Sequence, residues 1–488
     1  MFLGLRGRMV GFSAVSPRRM KPISPRWLVF PLVALGAGFA YGFLVGDGKV
    51  FPYALLRELV ARVRQPQNGG DGGSSSEQPS GVEPGTEHGW FNPVRQSAPS
   101  EAEAMDGLEA LGYAQSYQAS DDLGRIGVVA HDPERAYAGA NLVVSAHAPE
   151  VSLMDMAGET LHTWSFDYDD VPVVDDFEPA GTFGLRYFRR ARLMPGGELL
   201  GIYDRAGLVR IDRDSKLIWG LRGMFHHDLD VTPDGTIWAL FHEVHVVPRI
   251  HATREIFEDF VVRLAPDGTE LGRFSLLEAF ERSRYAALLE KARPVERPDI
   301  FHTNTLTVLD GSLAHLSPLF REGMLLISVF ELDVVALVDP EAPDGPEVAW
   351  ALAGLWHHQH EPVLVEDGNL LVFDNSGHRG QSKVVELDPF TQRIDWLYEG
   401  SPESPFYSVL CGSNQRLPNG NTLITESIPG RAFEVTRDKE IVWDFESPHR
   451  VFGGPTGDVL GVAVLMEVVR LGPETSLDWL ADTPGGTE

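Results

Sequence analysis

The sequence predicts an all-β fold, a six-bladed β-propeller, preceded by an N-terminal transmembrane helix and a flexible linker. Three observations predict it: two short patterns that recur six times each in order, an uncharged 20-residue stretch behind a basic N-terminus, and a Gly/Ser/Pro-rich segment between that stretch and the first repeat. Of the 488 residues, 43% are hydrophobic and 23% charged, a globular balance that excludes a wholly disordered chain. The chain carries 41 Lys and Arg against 70 Asp and Glu, a formal charge of −29. That balance argues against a nucleic-acid binder, because a polyanion needs clustered cations. One cysteine, Cys411, excludes an internal disulfide framework and a cysteine-based zinc finger.

The elements follow in order along the chain. Residues 1–26 are basic, with Arg6, Arg8, Arg18, Arg19, Lys21 and Arg26 and no acid. Residues 27–46, WLVFPLVALGAGFAYGFLVG, are uncharged and long enough to cross a bilayer as a helix. A basic flank before the stretch and an acidic bulk after it predict a single-pass inner-membrane anchor with the C-terminal domain in the periplasm. A cleaved signal peptide is the rival reading; the apolar stretch is long for one, and no clear A-x-A site follows it before Asp47. Residues 47–104 read as a juxtamembrane segment (51–65 amphipathic) and a low-complexity tether, 68–89 having almost nothing to bury. Residues 105–488 are assigned to the propeller.

Within that domain the first pattern is an apolar strand, usually after a glycine: 141–146, 197–203, 235–241, 323–330, 368–374 and 420–426. The second is a strand, a turn and a strand ending in an aromatic residue: 152–164, 209–219, 261–274, 336–350, 384–396 and 432–443. Short Val/Ile/Leu/Thr runs around Asp/Gly/Pro turns are hairpins. Repeated four-stranded units that cover one another's faces are propeller blades. Trp164, Trp219, Phe274, Trp350, Trp396 and Trp443 are read as packing between blades. Residues 181–192 and 276–300 interrupt the repeat, 275–294 has helical periodicity and is expected to form an inserted helix on one propeller face, and 459–470 is expected to supply strands that close the ring.

Taking the apolar run of the first pattern as the innermost strand, the segments that lead into it converge at the channel mouth. They are rich in polar chemistry: Arg186, Arg189, Arg190 and Arg192 in blade two; His226, His227 and Asp228 in blade three; His302 and Asn304 in blade four; His357, His358 and His360 in blade five, whose strand runs out through Asp374, Asn375, His378 and Arg379; and Ser413, Asn414, Gln415 and Arg416 in blade six. Three readings stay open on these residues. They are polar groups satisfying a wet channel, imidazole ligands of a metal such as zinc or iron, or an Arg/His set that binds and transfers a tetrahedral anion.

Over roughly residues 107–450 the chain resembles the bacterial arylsulfotransferase (ASST-type) family. The motifs that carry the resemblance are LEALGY (108–113), SLMDMAGETLHTW (152–164), HHDLDVTPDG (226–235), HTNTL (302–306), QHEPVLVEDGNLLVFDNSGHRG (359–380) and GSNQRLPNGNTLITES (412–427). The resemblance implies an exported six-bladed propeller that moves a sulfuryl group from a phenolic sulfate donor to a phenol acceptor through a sulfohistidine, without the nucleotide donor PAPS. It implies no cofactor and no metal. His227, His302, His360 and Arg379 match the family's recurrent positions and are the expected catalytic set, with Asn304, His358, Asn375, Arg190 and Asn414 expected to bind substrate. One departure stands out: the family histidine sought near the entrance to blade six has no counterpart in 406–416, FYSVLCGSNQR, and no histidine occurs between His378 and His449. The alternatives are a non-catalytic propeller binding a ligand or protein partner, and a His-metal hydrolase or lyase.

Overall fold

The structure, a computed structural model, describes residues 91–93, 125–173, 177, 187–292, 298–378, 381–402, 404–453 and 459–482. The expected membrane helix at 27–46 and the tether at 68–89 lie outside these residues. Among the described residues no helix is long and apolar enough to cross a membrane.

Six antiparallel sheets form the six blades. Blade two shows the plan, with Arg190–Leu193 innermost, then Leu199–Tyr203, Gly207–Ile211 and Leu217–Arg222. The innermost strands of blades three, four and five are Phe225–Val231, Thr303–Val308 and His360–Leu364. Blade six starts from Ser413–Arg416 and gains Gly127–His131 at its outer edge, while blade one takes its innermost strand, Leu465–Leu471, from the far end of the chain. Both ends of the domain thus close the ring, which leaves fewer open sheet edges. The closing contact is buried: Arg470 Nε donates to Asn141 Oδ1 at 2.7 Å, and Nη1 to Glu434 Oε2 at 2.9 Å. The 459–470 segment therefore splits. Leu465–Leu471 closes blade one, whereas Val459–Ala463 joins Arg450–Gly453 and Phe91–Pro93 in a small three-stranded sheet.

The apolar run after each glycine is the second strand of its blade, not the innermost one. Covered by neighbouring blades on both faces, it is buried at every position in Leu199–Tyr203, Leu325–Val329 and Thr422–Glu426. The polar segment before the glycine is itself the innermost strand, and its side chains and backbone are satisfied by the next blade. Asp228 Oδ2 accepts from Leu306 N at 2.9 Å and Asp230 Oδ2 from Val308 N at 2.8 Å. The aromatic residues ending the second pattern pack between blades as expected. Four of the tryptophans also donate Nε1–H to the next blade: Trp164 to Gly197 O, Trp219 to Pro266 O, Trp396 to Arg437 O, and Trp443 to Met156 O across the closure, at 2.9–3.0 Å.

The inserted helix covers Leu276–Arg282, shorter than 275–294, and a 3₁₀ segment follows at Ala286–Ala292. Ser275 caps it by accepting from Glu278 N at 3.0 Å. Its Leu276, Leu277, Ala279 and Phe280 complete the hydrophobic cluster shared by blades three and four.

Candidate functional site

The inner strands begin where the second strands end, so residues from distant parts of the chain meet at one mouth. Register shifts interrupt the pairing at Phe225/Leu229, Thr303/Thr305 and His360/Val363, in three successive blades. Such bulges re-aim side chains. Ten described non-glycine residues have positive φ. Ser215, Gln392 and Lys439 turn hairpins, while His227 (φ 51°), His302 (φ 50°), His358 (φ 58°) and Cys411 (φ 55°) stand around this mouth. A left-handed non-glycine residue costs about 1–2 kcal/mol, and such strain gathers at functional sites.

The rings form a continuous array across blades three to five. His227 meets His302 edge-on at 4.4 Å between centroids. Phe330 lies 5.1 Å from His302 and 5.7 Å from His360, and stacks on His358 at 4.1 Å. Three of the four expected catalytic residues therefore surround one spot; the fourth, Arg379, lies outside the described residues.

The hydrogen bonds fix which nitrogen of His360 and of His302 carries the proton. His360 Nδ1 is 2.7 Å from Asn375 Oδ1, and Asn375 Nδ2 donates to the carbonyls of Ser408 and Cys411. The amide is thereby oriented with its oxygen toward the ring. His360 Nδ1 must donate, which leaves a lone pair on Nε2. Burial lowers its pKa to about 3; the Asn375 bond opposes this, and the nearby Arg189 and His302 charges add to it. His360 is accordingly a neutral imidazole. His302 is tuned the other way. Its Nδ1 lies 2.7 Å from Asp299 Oδ2, and its backbone N–H donates to Oδ1 at 2.9 Å. Burial disfavours the imidazolium, but Asp299 outweighs it and the pKa is raised. Asp299 is pushed up by burial, yet His302, His242 and Arg205 together hold it far below the usual carboxylate range. Burial, then His302 and Arg189, push His227 well below its ordinary value.

The expected substrate binders divide by role. Asn375 holds His360, and His358 stacks between Phe330 and His357. Asn304 Nδ2 donates to Gln359 O at 2.9 Å and Asn414 Nδ2 to Glu361 O at 2.8 Å, bonds that tie one inner strand to the next. Arg190 is enclosed: Nε is 2.9 Å from Asp228, Nη2 2.7 Å from Glu361 and Nη1 2.5 Å from Glu467. With Arg192 on Asp228 and Glu467, this buried cluster ties blades one, two, three and five together. Its members Asp228 and Glu361 directly follow His227 and His360 on their strands, so the ion cluster abuts the histidines. Two cations bear on the histidines: Arg189 on His227, His360 and Cys411, and Arg205, 2.9 Å from Asp299, on His227 and His302.

Sequence reasoning passed over Asp299, Phe330 and Cys411. The Asp-x-x-His spacing of 299–302 was the signal for the first. Cys411, buried and left-handed, stands in the blade-six lead-in where a histidine was sought. Among the described residues two groups have the composition of metal ligands: His226, His242 and Asp259, all buried, and Asp333, His357 and His358.

Residues 206–448, about half of the chain, match the arylsulfotransferase (ASST) family. Over that span the chain belongs to the arylsulfotransferase family. The match covers blades three to six, and with them His227, His302 and His360. No curated protein matches the sequence. Similar solved structures include a protein of unknown function from Bacteroides caccae (14% identity, TM-score 0.40, covering 63% of this chain and 93% of that one). Streptogramin B lyase (12%, 0.38, 71% and 94%) and virginiamycin B lyase from Staphylococcus aureus (12%, 0.31, 52% and 68%) are others. Likenesses this distant bear on neither substrate nor mechanism.

Proposed function

We propose that this arylsulfotransferase-family propeller moves a sulfuryl group between phenols without PAPS, by way of a sulfohistidine on His360. It acts outside the cytoplasm, held at the inner membrane by residues 27–46. The observation that carries the mechanism is the opposite tuning of two neighbouring imidazoles: His360 neutral with its Nε2 lone pair free, and His302 held toward its cation by Asp299.

In the first half-reaction His360 Nε2 attacks the sulfur of an aryl sulfate. The N–S bond forms as the S–O(aryl) bond breaks, and His302 gives its proton to the departing phenolate oxygen. In the second half, His302 takes the proton of the acceptor phenol, whose oxygen attacks sulfur as the S–N bond breaks. Arg189 balances the charge on the non-reacting sulfuryl oxygens, as cationic clamps do in phosphoryl transfer. Arg379 is the expected second clamp. Phe330, flanked by His302, His358 and His360, offers an aromatic wall against which a phenol ring can lie.

The protein is short of cations overall, so long-range attraction of an anionic donor is weak; screening limits the repulsion to about 10 Å, within which Arg189 acts. The test is release of nitrophenolate from 4-nitrophenyl sulfate in the presence of phenol, with the purified chain and its variants. His360→Ala should abolish release. His302→Gln should depress transfer from a poor leaving group such as phenyl sulfate far more than transfer from 4-nitrophenyl sulfate, which needs little acid assistance. Undiminished release by His360→Ala, or an equal loss for both donors in His302→Gln, would remove these roles.

A further inference from the structure

Arg205 is a charged group at the mouth that the transfer steps do not use. It follows Asp204 at the corner between blades two and three, just beyond Leu199–Tyr203, and its backbone N–H donates to Phe225 O at 2.6 Å. Its backbone is left-handed, with φ 56°. The side chain crosses blade three, its guanidinium 5.4 Å from the centre of the Phe257 ring. It ends on the blade-four lead-in, where Nη2 lies 2.9 Å from Asp299 Oδ2. Its Nε is buried without a hydrogen bond. A left-handed backbone and an unsatisfied donor both cost stability. Such costs gather where a group is held in place for chemistry.

Asp299 Oδ2 thus serves two cations, accepting from His302 Nδ1 at 2.7 Å as well as from Arg205. The carboxylate does not need Arg205 to stay in place. Oδ1 accepts the His302 backbone N–H at 2.9 Å, Asp299 is bridged to Phe257, and Phe257 N donates to Pro298 O at 2.8 Å. What Arg205 changes is the charge. Burial disfavours the His302 imidazolium, Asp299 favours it, and Arg205 opposes Asp299. Among the other groups around this pair, Asp204 also favours the imidazolium, and burial keeps His226, His227 and His360 neutral. His242 Nε2 lies 3.8 Å from Asp299 Oδ1. A buried Asp–His pair with no third charge holds its imidazolium firmly and gives up a proton poorly. His302 has to release a proton from Nε2 in the first half-reaction and take one there in the second, while its Nδ1–H stays on Asp299.

We infer that Arg205 is a positioning residue for the transfer: by sharing Asp299 Oδ2 with His302, it keeps that imidazole able both to give a proton and to take one back. Its purpose rests on the transfer reading, whereas the coupling of Arg205 to His302 belongs to the folded protein with or without substrate. Without Arg205, Asp299 serves His302 alone, the imidazolium gains, and His302 protonates at higher pH. A mere brace would act in the other direction, since its loss would free Asp299 from the ring and let the His302 value fall.

Full-length protein carrying isotope-labelled histidine is titrated by NMR, with the His302 ring assigned by its loss in His302→Gln. Arg205→Met should raise the His302 pKa by roughly one unit, the low end of what a neighbouring charge is worth. Arg205→Lys, which keeps the charge, should stay near the parent. Arg205→Gln, which can still donate to Asp299, should rise like the methionine variant and replaces it if that variant does not fold. In kinetics, the pH at which kcat/KM for a poor aryl sulfate donor falls, and the pH at which kcat/KM for the phenol acceptor rises, should both move up, because the first needs protonated His302 and the second the free base. A His302 pKa that is unchanged or lower in the uncharged variants overturns the inference, and so does an equal rise in Arg205→Lys. The ring titration does not depend on turnover. A raised pKa in a protein that releases no nitrophenolate leaves the coupling standing and refutes only the transfer, while an active enzyme whose His302 pKa does not move refutes only the role of Arg205.

Discussion

Arg190→Met tests the buried ion cluster beside the site. The methionine nearly fills the arginine stem's volume but strands Asp228, Glu361 and Glu467, which meet the guanidinium at 2.5–2.9 Å and of which only Asp228 and Glu467 keep Arg192. Removing one partner of a buried pair costs about 3–5 kcal/mol, because the charge left behind is uncompensated. In a domain this large, each kcal/mol lowers the melting temperature by roughly 2–4 °C, so a fall on the order of 10 °C is expected at pH 8.

The loss should depend on pH. Burial already raises the pKa of Glu361 to about 7 against the pull of Arg190, and without the arginine the carboxylates hold their protons more firmly. A carboxylate whose folded pKa is raised favours the folded state at low pH and loses that advantage as pH rises through the folded value. Arg190→Met should therefore be considerably less damaging at pH 5.5 than at pH 8, and adding Glu361→Gln should recover part of the loss at pH 8. Thermal melts of the parent, Arg190→Met and the double variant at both pH values decide it. A loss under about 1 kcal/mol at pH 8, or an equal loss at both, refutes an uncompensated-charge cluster.

Two further predictions concern single groups. Glu426 is 1% exposed, and burial raises its pKa from 4.5 to about 7; at 1.36 kcal/mol per unit this removes about 3 kcal/mol of stability as pH climbs from about 4.5 to above 7. Glu426→Gln, which can still accept from Tyr407 N, should match the parent near pH 4.5 and exceed it at pH 8 in denaturant melts; parallel curves would show that Glu426 is ionised in the folded protein throughout. Asn375→Asp sets a carboxylate 2.7 Å from His360 Nδ1 and should raise the His360 pKa by roughly 1–3 units from about 3. The pH–rate profile should then gain a new acid limb, and an unchanged profile would separate Asn375 from the reacting imidazole.

The ring was legible because its periodic part is the second strand, apolar on both faces wherever blades cover it. The innermost strands were not read as strands. RARL, FHHDLDV, HEPVL and SNQR carry no alternation, because their polar groups are satisfied across the ring by residues far away in sequence, as Asp228 is by Leu306 N. The same cause explains the choice of arginine. Arg189 and Arg190 are adjacent in an extended segment, where neighbouring side chains point to opposite sides. Arg190 goes to the carboxylates while the charge of Arg189 bears on the histidines, and composition cannot assign that parity.

His360 and Glu361 repeat the division, as do His227 and Asp228. At each pair a bulge or a left-handed residue sets the parity: φ is 51° at His227 and 44° at Glu361, and the pairing shifts register at both places. Blade six lacks such a shift in Ser413–Arg416 and supplies no imidazole. The imidazoles therefore come from blades three to five, while the charge cluster binds the inner strands of blades one, two, three and five. A substrate meeting His227, His302 and His360 lies to one side of the ring's centre, against the blades that match the arylsulfotransferase family. The symmetry of the propeller supplies the scaffold, and local departures from it, three register shifts and five left-handed residues (His227, His302, His358, Glu361 and Cys411), place the imidazoles at its mouth.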